Sequence, residues 1–138
     1  MIRKLKKEDF NTYTNIIGQL TSIGDVTQEQ FNTFVDSQNN TQQTWVYEFD
    51  NEVAASVTIL IEQKIARSYG KCMHIEDVVT SSNYRGKGFA SDLMRYIINI
   101  AQTQGCYKII LNCSKDNVSF YDRLGFKEKE LQMSLYLK

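Results

Sequence analysis

The stretch from Met73 to Ala90, MHIEDVVTSSNYRGKGFA, constrains the fold more than any other. A strand-like apolar run carrying Glu76 and Asp77 leads into a polar turn, then into Arg85, Gly86, Lys87 and Gly88, and from Phe89 into a helical pattern. The first N–H groups of a helix have no acceptor within it and sit at the positive end of its dipole. Glycines at that point remove the side chains that would hold an anion away. The stretch therefore reads as a strand feeding a phosphate cradle, with two carboxylates just upstream of it.

The rest of the chain supplies what such a unit needs around it. Ile2 to Leu5 reads as a first strand, and Phe10, Tyr13, Ile16, Ile17 and Leu20 recur at helical spacing. LTSIGDVT is a turn in which Thr27 can cap a second helix, Gln28 to Gln38, with Phe31, Phe34 and Val35 on one side. TWVYEF alternates with period two, Asp50-Asn51 is a hairpin turn, and EVAASVTILIEQK is a long buried strand. KIARSYGK is a charged connector. After the cradle, a helix runs to about Gln104 with Leu93, Met94, Ile97 and Ala101 inward, and Gly105 ends it. YKIILNC reads as a buried strand, DNVSFYDRLGF as a short helix stopped by Gly125, and Phe126 to Leu137 as a last strand alternating around Leu131, Met133 and Leu135. Helices interspersed among centrally clustered strands predict an α+β fold, one domain over 1–138 around a mixed, mostly antiparallel sheet flanked by helices.

Bulk properties remove several functions. Acidic and basic residues balance at 16 each, so no overall field favours nucleic acid or an anionic membrane. No apolar run is long enough to span a bilayer, and MIRKLKKEDF lacks the apolar segment of a signal peptide. Cys72, Cys106 and Cys113 form no CxxC pair, and idle thiols in a reducing, cytoplasmic compartment are the expectation. His74 is the sole histidine, which excludes a histidine-rich zinc site; no metal is expected.

Among phosphate motifs, a P-loop fails because Gly88 and not Ser or Thr follows Lys87. A dinucleotide fingerprint fails because Ser91 stands where its third glycine belongs and no strand-helix-strand unit precedes it. The remaining pattern, Arg85-x-x-Gly88-x-Ala90 after an apolar strand, resembles the coenzyme A loop of the GCN5-related N-acetyltransferases. Asn117 and Tyr121 in NVSFYDRLGF resemble that family's second landmark and fall one helical turn apart. LTSIGDVT, HIEDVV, YRGKGFA, GCYKIILNC and NVSFYDRLGF together resemble the branch that acetylates an amino-sugar phosphate.

The resemblance implies direct transfer of acetyl from acetyl-CoA to the 2-amino group of D-glucosamine 6-phosphate, a step that feeds amino-sugar nucleotide (UDP-GlcNAc) synthesis. It implies that Val78 and Val79 pair with the pantetheine arm, and that Arg85, Gly86, Lys87, Gly88, Phe89 and Ala90 bind the pyrophosphate. Asn117 holds the pantetheine amide, and Tyr121 is the acid for the departing thiolate. For the sugar it implies Thr21, Lys64, Arg67, Tyr107 and Lys108 with Glu76 and Asp77, the acids also being catalytic candidates. It implies a homodimer with the site near the interface. A regular strand would send Glu76 and Asp77 to opposite faces, so a bulge is expected if both serve one site. Burial of two carboxylates beside Ile75 and Val78 without partners would be costly, which favours function. The chain departs from the branch at Tyr136, where relatives carry a phosphate-binding Arg, and at Asn112, where they carry an acid. Arg67 stands where relatives often have His and is the candidate replacement. Two other readings stay open: an acetyltransferase for another amine, such as a peptide N-terminus or an aminoglycoside, and a non-catalytic acyl-CoA-binding module.

Overall fold

The computed structural model describes residues 1–138. The elements are β1 (Ile2–Lys4), α1 (Phe10–Leu20), α2 (Gln28–Asp36), β2 (Gln42–Phe49), β3 (Glu52–Gln63), the single turn α3 (Ala66–Tyr69), β4 (Lys71–Thr80), α4 (Phe89–Thr103), β5 (Cys106–Leu111) and α5 (Val118–Arg123). They form a five-stranded sheet in the order β1-β2-β3-β4-β5. β1 to β4 are antiparallel neighbours, and β5 runs parallel to β4 because α4 carries the chain back across the sheet.

Local chemistry explains the joints. Asp50 and Asn51 adopt φ of 55° and 61°, the left-handed pair that a two-residue hairpin requires. The Thr27 hydroxyl accepts the Gln30 N–H at 3.1 Å while Gln30 Oε1 accepts the Thr27 N–H at 3.0 Å, a reciprocal cap that starts α2. The Arg3 guanidinium donates to both carboxylate oxygens of Asp9 at 2.8 and 2.9 Å and to Glu48 at 2.7 Å, tying β1 to the entry of α1 and to β2. Those bonds, the one to Asp9 foremost, hold it charged to a pH still higher than usual.

Each sheet face has its own core. On one, Leu93, Met94, Ile97 and Ala101 of α4 pack over Val57, Ile59, Met73 and Ile75. On the other, Tyr13, Ile16 and Phe31 of α1 and α2 cover Val46, Val53 and Val79. The helical spacing in α4 that singled out its inward residues is the spacing of its buried face. Full burial of a side chain such as Ile97 stabilises the fold by about 1.5–3 kcal/mol.

Two expectations fail. The last strand does not form: residues 126–138 have no regular structure, and Leu131, Met133, Leu135 and Leu137 are 85–94% exposed. Alternation makes a segment two-faced, but a strand also needs a neighbour for its N–H and C=O groups, and no strand of the same chain lies beside it. Nor is β5 a buried strand. It ends at Leu111, it is one of the sheet's two edge strands, and from Tyr107 its residues alternate between half-buried and exposed. No helix is long and apolar enough to cross a membrane.

Candidate active site

The parallel pairing of β4 with β5 covers only Lys71 to Ile75, where β5 reaches its end at Leu111. β4 continues to Thr80, so from Glu76 onward its edge on that side is released from the ladder. The expected bulge lies at the same place. Ser56 pairs with Val79 but Thr58 with Glu76, leaving Asp77 and Val78 opposite Val57 alone, and Asp77 takes φ 51°. The bulge turns both acids to the face covered by α1: Glu76 lines a groove with Thr41, Gln42 and His74, and the charge of Asp77 acts on the Tyr13 hydroxyl. Both acids are exposed, so the expected cost of burying them does not arise. Val79 is buried under α1, and Val78 is half-buried on the α4 side.

Beyond the released edge lies the cradle. Gly86 and Gly88 both adopt φ 82°, a left-handed conformation that glycine takes without strain, and no atom lies within 4 Å of where a Cβ would stand on either. None of the main-chain N–H groups from Arg85 to Ser91 has an acceptor within the protein; the first intrahelical bond is from Asp92 to Gly88. The helix start is fixed by Phe89, buried and stacked on Tyr47 at 4.3 Å. Its position is further set by the Ser82 N–H, which donates to Gln19 near the end of α1 at 2.9 Å. That bond ties the end of α1, with exposed Thr21 just after it, to the turn that precedes the cradle. Arg85 Nε bonds the Thr80 carbonyl at 3.4 Å, while Lys87 makes no side-chain bond. A row of free N–H donors at a helix start, open in front and flanked by two cations, fits a pyrophosphate, and the released β4 edge fits an extended amide-bearing arm.

α5 packs on the α4 side of the sheet, with Tyr121 in the same cluster as Phe89. Asn117 precedes it, exposed and without a capping bond, so its amide is free for a ligand. Tyr121, one turn later, is 8% exposed and packs edge-on against Phe120 at 4.9 Å and Phe126 at 5.9 Å. Burial, and less so the neighbouring Cys113, pushes its hydroxyl up to about 12. It is therefore protonated at any physiological pH, as a hydrogen-bond donor must be. Asn112 and Cys113 are exposed at the strand end between β5 and α5.

The expected sugar-phosphate cations gather elsewhere. The Arg67 guanidinium lies over the Tyr107 ring at 5.1 Å and Lys108 Nζ approaches the same ring at 5.6 Å. Lys64 Nζ is 3.4 Å from Glu62 on the same end of the sheet. Their end of β4 is that of Lys71 and Cys72, opposite Cys106 and Lys108. From Cys72 to Asp77 a strand rising ~3.3 Å per residue spans about 16 Å, so Arg67 and Lys108, gathered on Tyr107, stand toward the opposite end of β4 from Asp77, while Lys64 reaches Glu62 in the groove that Glu76 lines.

Sequence reasoning missed how Arg67 is held. Arg67, Ser68 and Tyr69 all take positive φ, making α3 a left-handed turn closed by Tyr69 and Gly70 N–H bonds to Ile65 and Ala66. Such a turn costs roughly 1–2 kcal/mol per non-glycine residue, and ARSY has no glycine to signal it. His74, the sole histidine, has no motif around it in the sequence that points to a partner, yet its Nε2 lies 2.9 Å from Glu62 in the groove that Glu76 lines.

A released central strand edge, a left-handed glycine loop and an N–H cradle define a coenzyme-dependent acyl transferase, and the acetyltransferase (GNAT) family model matches residues 5–126. The chain belongs to that family and is an acetyl-CoA-dependent N-acetyltransferase. It is 36% identical to the glucosamine 6-phosphate N-acetyltransferase of Arabidopsis thaliana over 98% of this chain and 95% of that one. It is 38% identical to glucosamine 6-phosphate N-acetyltransferase 1 of Dictyostelium discoideum over 98% of this chain and 89% of that one. The crystal structure of the Arabidopsis enzyme superposes with a TM-score of 0.95, covering 100% of this chain and 98% of that one.

Proposed function

We propose that this protein transfers acetyl from acetyl-CoA to the 2-amino group of D-glucosamine 6-phosphate, working in the cytoplasm as a homodimer of single-domain subunits. The observation that carries the reading is the acceptor-free N–H row from Arg85 to Ser91 beside a released β4 edge. It occurs in a chain that matches glucosamine 6-phosphate N-acetyltransferases over nearly its whole length.

In this mechanism the coenzyme supplies the activated acetyl thioester, and the protein positions it and handles protons. The main chain of Val78 and Val79 pairs with the pantetheine arm as an added strand, Asn117 bonds its amide, and Arg85 to Ala90 hold the pyrophosphate. Glu76 and Asp77, turned to one face by the bulge, orient the amine and the sugar hydroxyls. Asn112 can accept a hydrogen bond from the amine through its amide oxygen but cannot take the proton, so the proton leaves through the carboxylates or a water they hold. Tyr121 donates a hydrogen bond to the departing sulfur. With its hydroxyl near 12 and an ordinary thiol near 8.5, outright proton transfer from Tyr121 is uphill by about 5 kcal/mol. The amine's surplus proton is therefore the one that ends on sulfur, and Tyr121 stabilises charge until it arrives.

The dimer supplies what one subunit lacks. The tail's apolar row from Leu131 to Leu137 is bare, β5 has a free outer edge, and Arg67 and Lys108 gather on Tyr107 toward the opposite end of β4 from Asp77. In the proposed dimer each tail pairs with the other subunit, bringing Lys64, Arg67, Tyr107 and Lys108 of one to a sugar phosphate held with Thr21, Glu76 and Asp77 of the other. Arg67 serves the phosphate in place of an Arg near Tyr136. Release of free thiol from acetyl-CoA, measured with glucosamine 6-phosphate, glucosamine, a peptide amine and an aminoglycoside, tests the reading. Turnover confined to the phosphorylated sugar is expected; preference for another amine, or tight coenzyme binding with no thiol release, would overturn it.

A further inference from the structure

We infer that Glu62, Cys72 and His74 form a binding site for one zinc-class divalent cation, separate from the coenzyme cradle and not required for acetyl transfer. Cys72 and His74 are two apart on β4 and so share a face, and Glu62 of β3 pairs directly across from Cys72. A carboxylate oxygen, the Sγ and an imidazole nitrogen of the three all lie within 4.8 Å of one another, and His74 Nε2 already stands 2.9 Å from Glu62 Oε1. Zinc bonded at about 2.0–2.3 Å to such ligands holds their donor atoms about 3.5 Å apart in a tetrahedron. The contraction from 4.8 Å to that spacing falls to the side-chain torsions, Glu62 and His74 being partly exposed.

The donor set selects the ion. A thiolate with an imidazole favours zinc over magnesium or calcium, which take all-oxygen shells. Binding forms an Sγ–metal bond and releases the Cys72 proton to solvent, with no change of oxidation state. The two anionic ligands then neutralise the dication. Glu62 and His74 also line a groove of about 460 Å³ with Thr41, Gln42, Leu60 and Glu76, from which a water would complete the shell. Two cations oppose occupancy: Lys64 Nζ is 3.4 Å from Glu62, and Lys108 pairs across from Cys72 on β5. Lys64 must leave Glu62 when the metal arrives, which sets the affinity and supplies a test with a sign of its own.

The test is a titration of the intact protein with Co²⁺, followed by thiolate-to-cobalt charge-transfer absorption, with Zn²⁺ then displacing the cobalt. One equivalent with a thiolate band is expected. Glu62→Gln and His74→Gln, both at partly exposed positions, should each weaken binding by tenfold or more, Cys72→Ser should abolish the band, and Lys64→Ala should tighten binding several-fold. Acetyl-CoA affinity, read on each variant, reports that the fold is intact. Absence of the band in the native protein, or a band that survives Cys72→Ser in folded protein because Cys106 or Cys113 carries it, overturns the assignment. So does unchanged affinity in both Glu62→Gln and His74→Gln.

Discussion

Gly70→Ala tests how the left-handed turn holds Arg67. Gly70 has φ −78° and ψ 167°, a conformation open to any residue, so backbone strain plays no part. Lost freedom of the unfolded chain would by itself stabilise the variant by about 0.4–1 kcal/mol. Space decides otherwise. A Cβ at Gly70 would stand 2.9 Å from Tyr107 Cδ1, 3.0 Å from the Arg67 carbonyl oxygen and 3.2 Å from Arg67 Cβ. To restore ordinary contact the ring must retreat by about half an ångström while a closed turn resists on the other side, and overpacking of that kind costs about 1–3 kcal/mol. The net expectation is a loss of about 1–2 kcal/mol, read as a fall in Tm of roughly 3–8 °C. Because the ring that moves is the one beneath Arg67 and Lys108, the proposed phosphate contact should weaken with it. Partial loss of a charge-assisted bond worth about 1.5–3 kcal/mol raises KM for glucosamine 6-phosphate by roughly tenfold. Thermal unfolding and steady-state kinetics in both substrates measure this, with KM for acetyl-CoA unchanged. A variant as stable as the parent with unaltered KM for the sugar would refute the claim that Gly70 seats the turn on Tyr107.

Three further outcomes follow from the same geometry. Tyr121→Phe should lower kcat by roughly 10²-fold with little change in acetyl-CoA affinity; equal turnover would remove the hydroxyl from the reaction. Gly88→Ala meets no atom within 4 Å but must hold φ 82°, so it should cost about 1 kcal/mol of stability and raise KM for acetyl-CoA and not for the sugar. Tyr13 and Tyr121 are both pushed up to about 12 by burial. A folded-state value above the unfolded one means their contribution is complete below about pH 10 and is lost as pH rises toward 12. Tm against pH, with tyrosinate absorbance, should therefore fall across that window, and a flat profile would contradict the burial of both rings.

Elements carried by local pattern were legible in the sequence. The face of α4, the Thr27 cap, the Asp50-Asn51 turn and the glycine loop each depend on residues within a few positions of one another, so spacing alone reveals them. The bulge at Asp77 was readable only by asking how two adjacent acids could share a face. The exposure of those acids was not, because it depends on which residues of other elements pack over that face of the sheet. The last segment shows the limit from the other side: its alternation is real, yet alternation states only which face is apolar and not whether a partner strand exists.

The stretch from Met73 to Ala90 by itself determined that a strand would feed a glycine-rich helix start with two carboxylates before it, since glycine, charge and periodicity act locally. Tertiary structure alone decided what surrounds it. The end of β5 at Leu111 frees the β4 edge beyond Ile75, burial raises the Tyr121 hydroxyl, a left-handed turn without glycine sets Arg67 on Tyr107, and strand pairing places Glu62 beside Cys72 and His74. Each of these is a relation between residues far apart in the chain, settled by which strands run out of partners and which side chains lose their water.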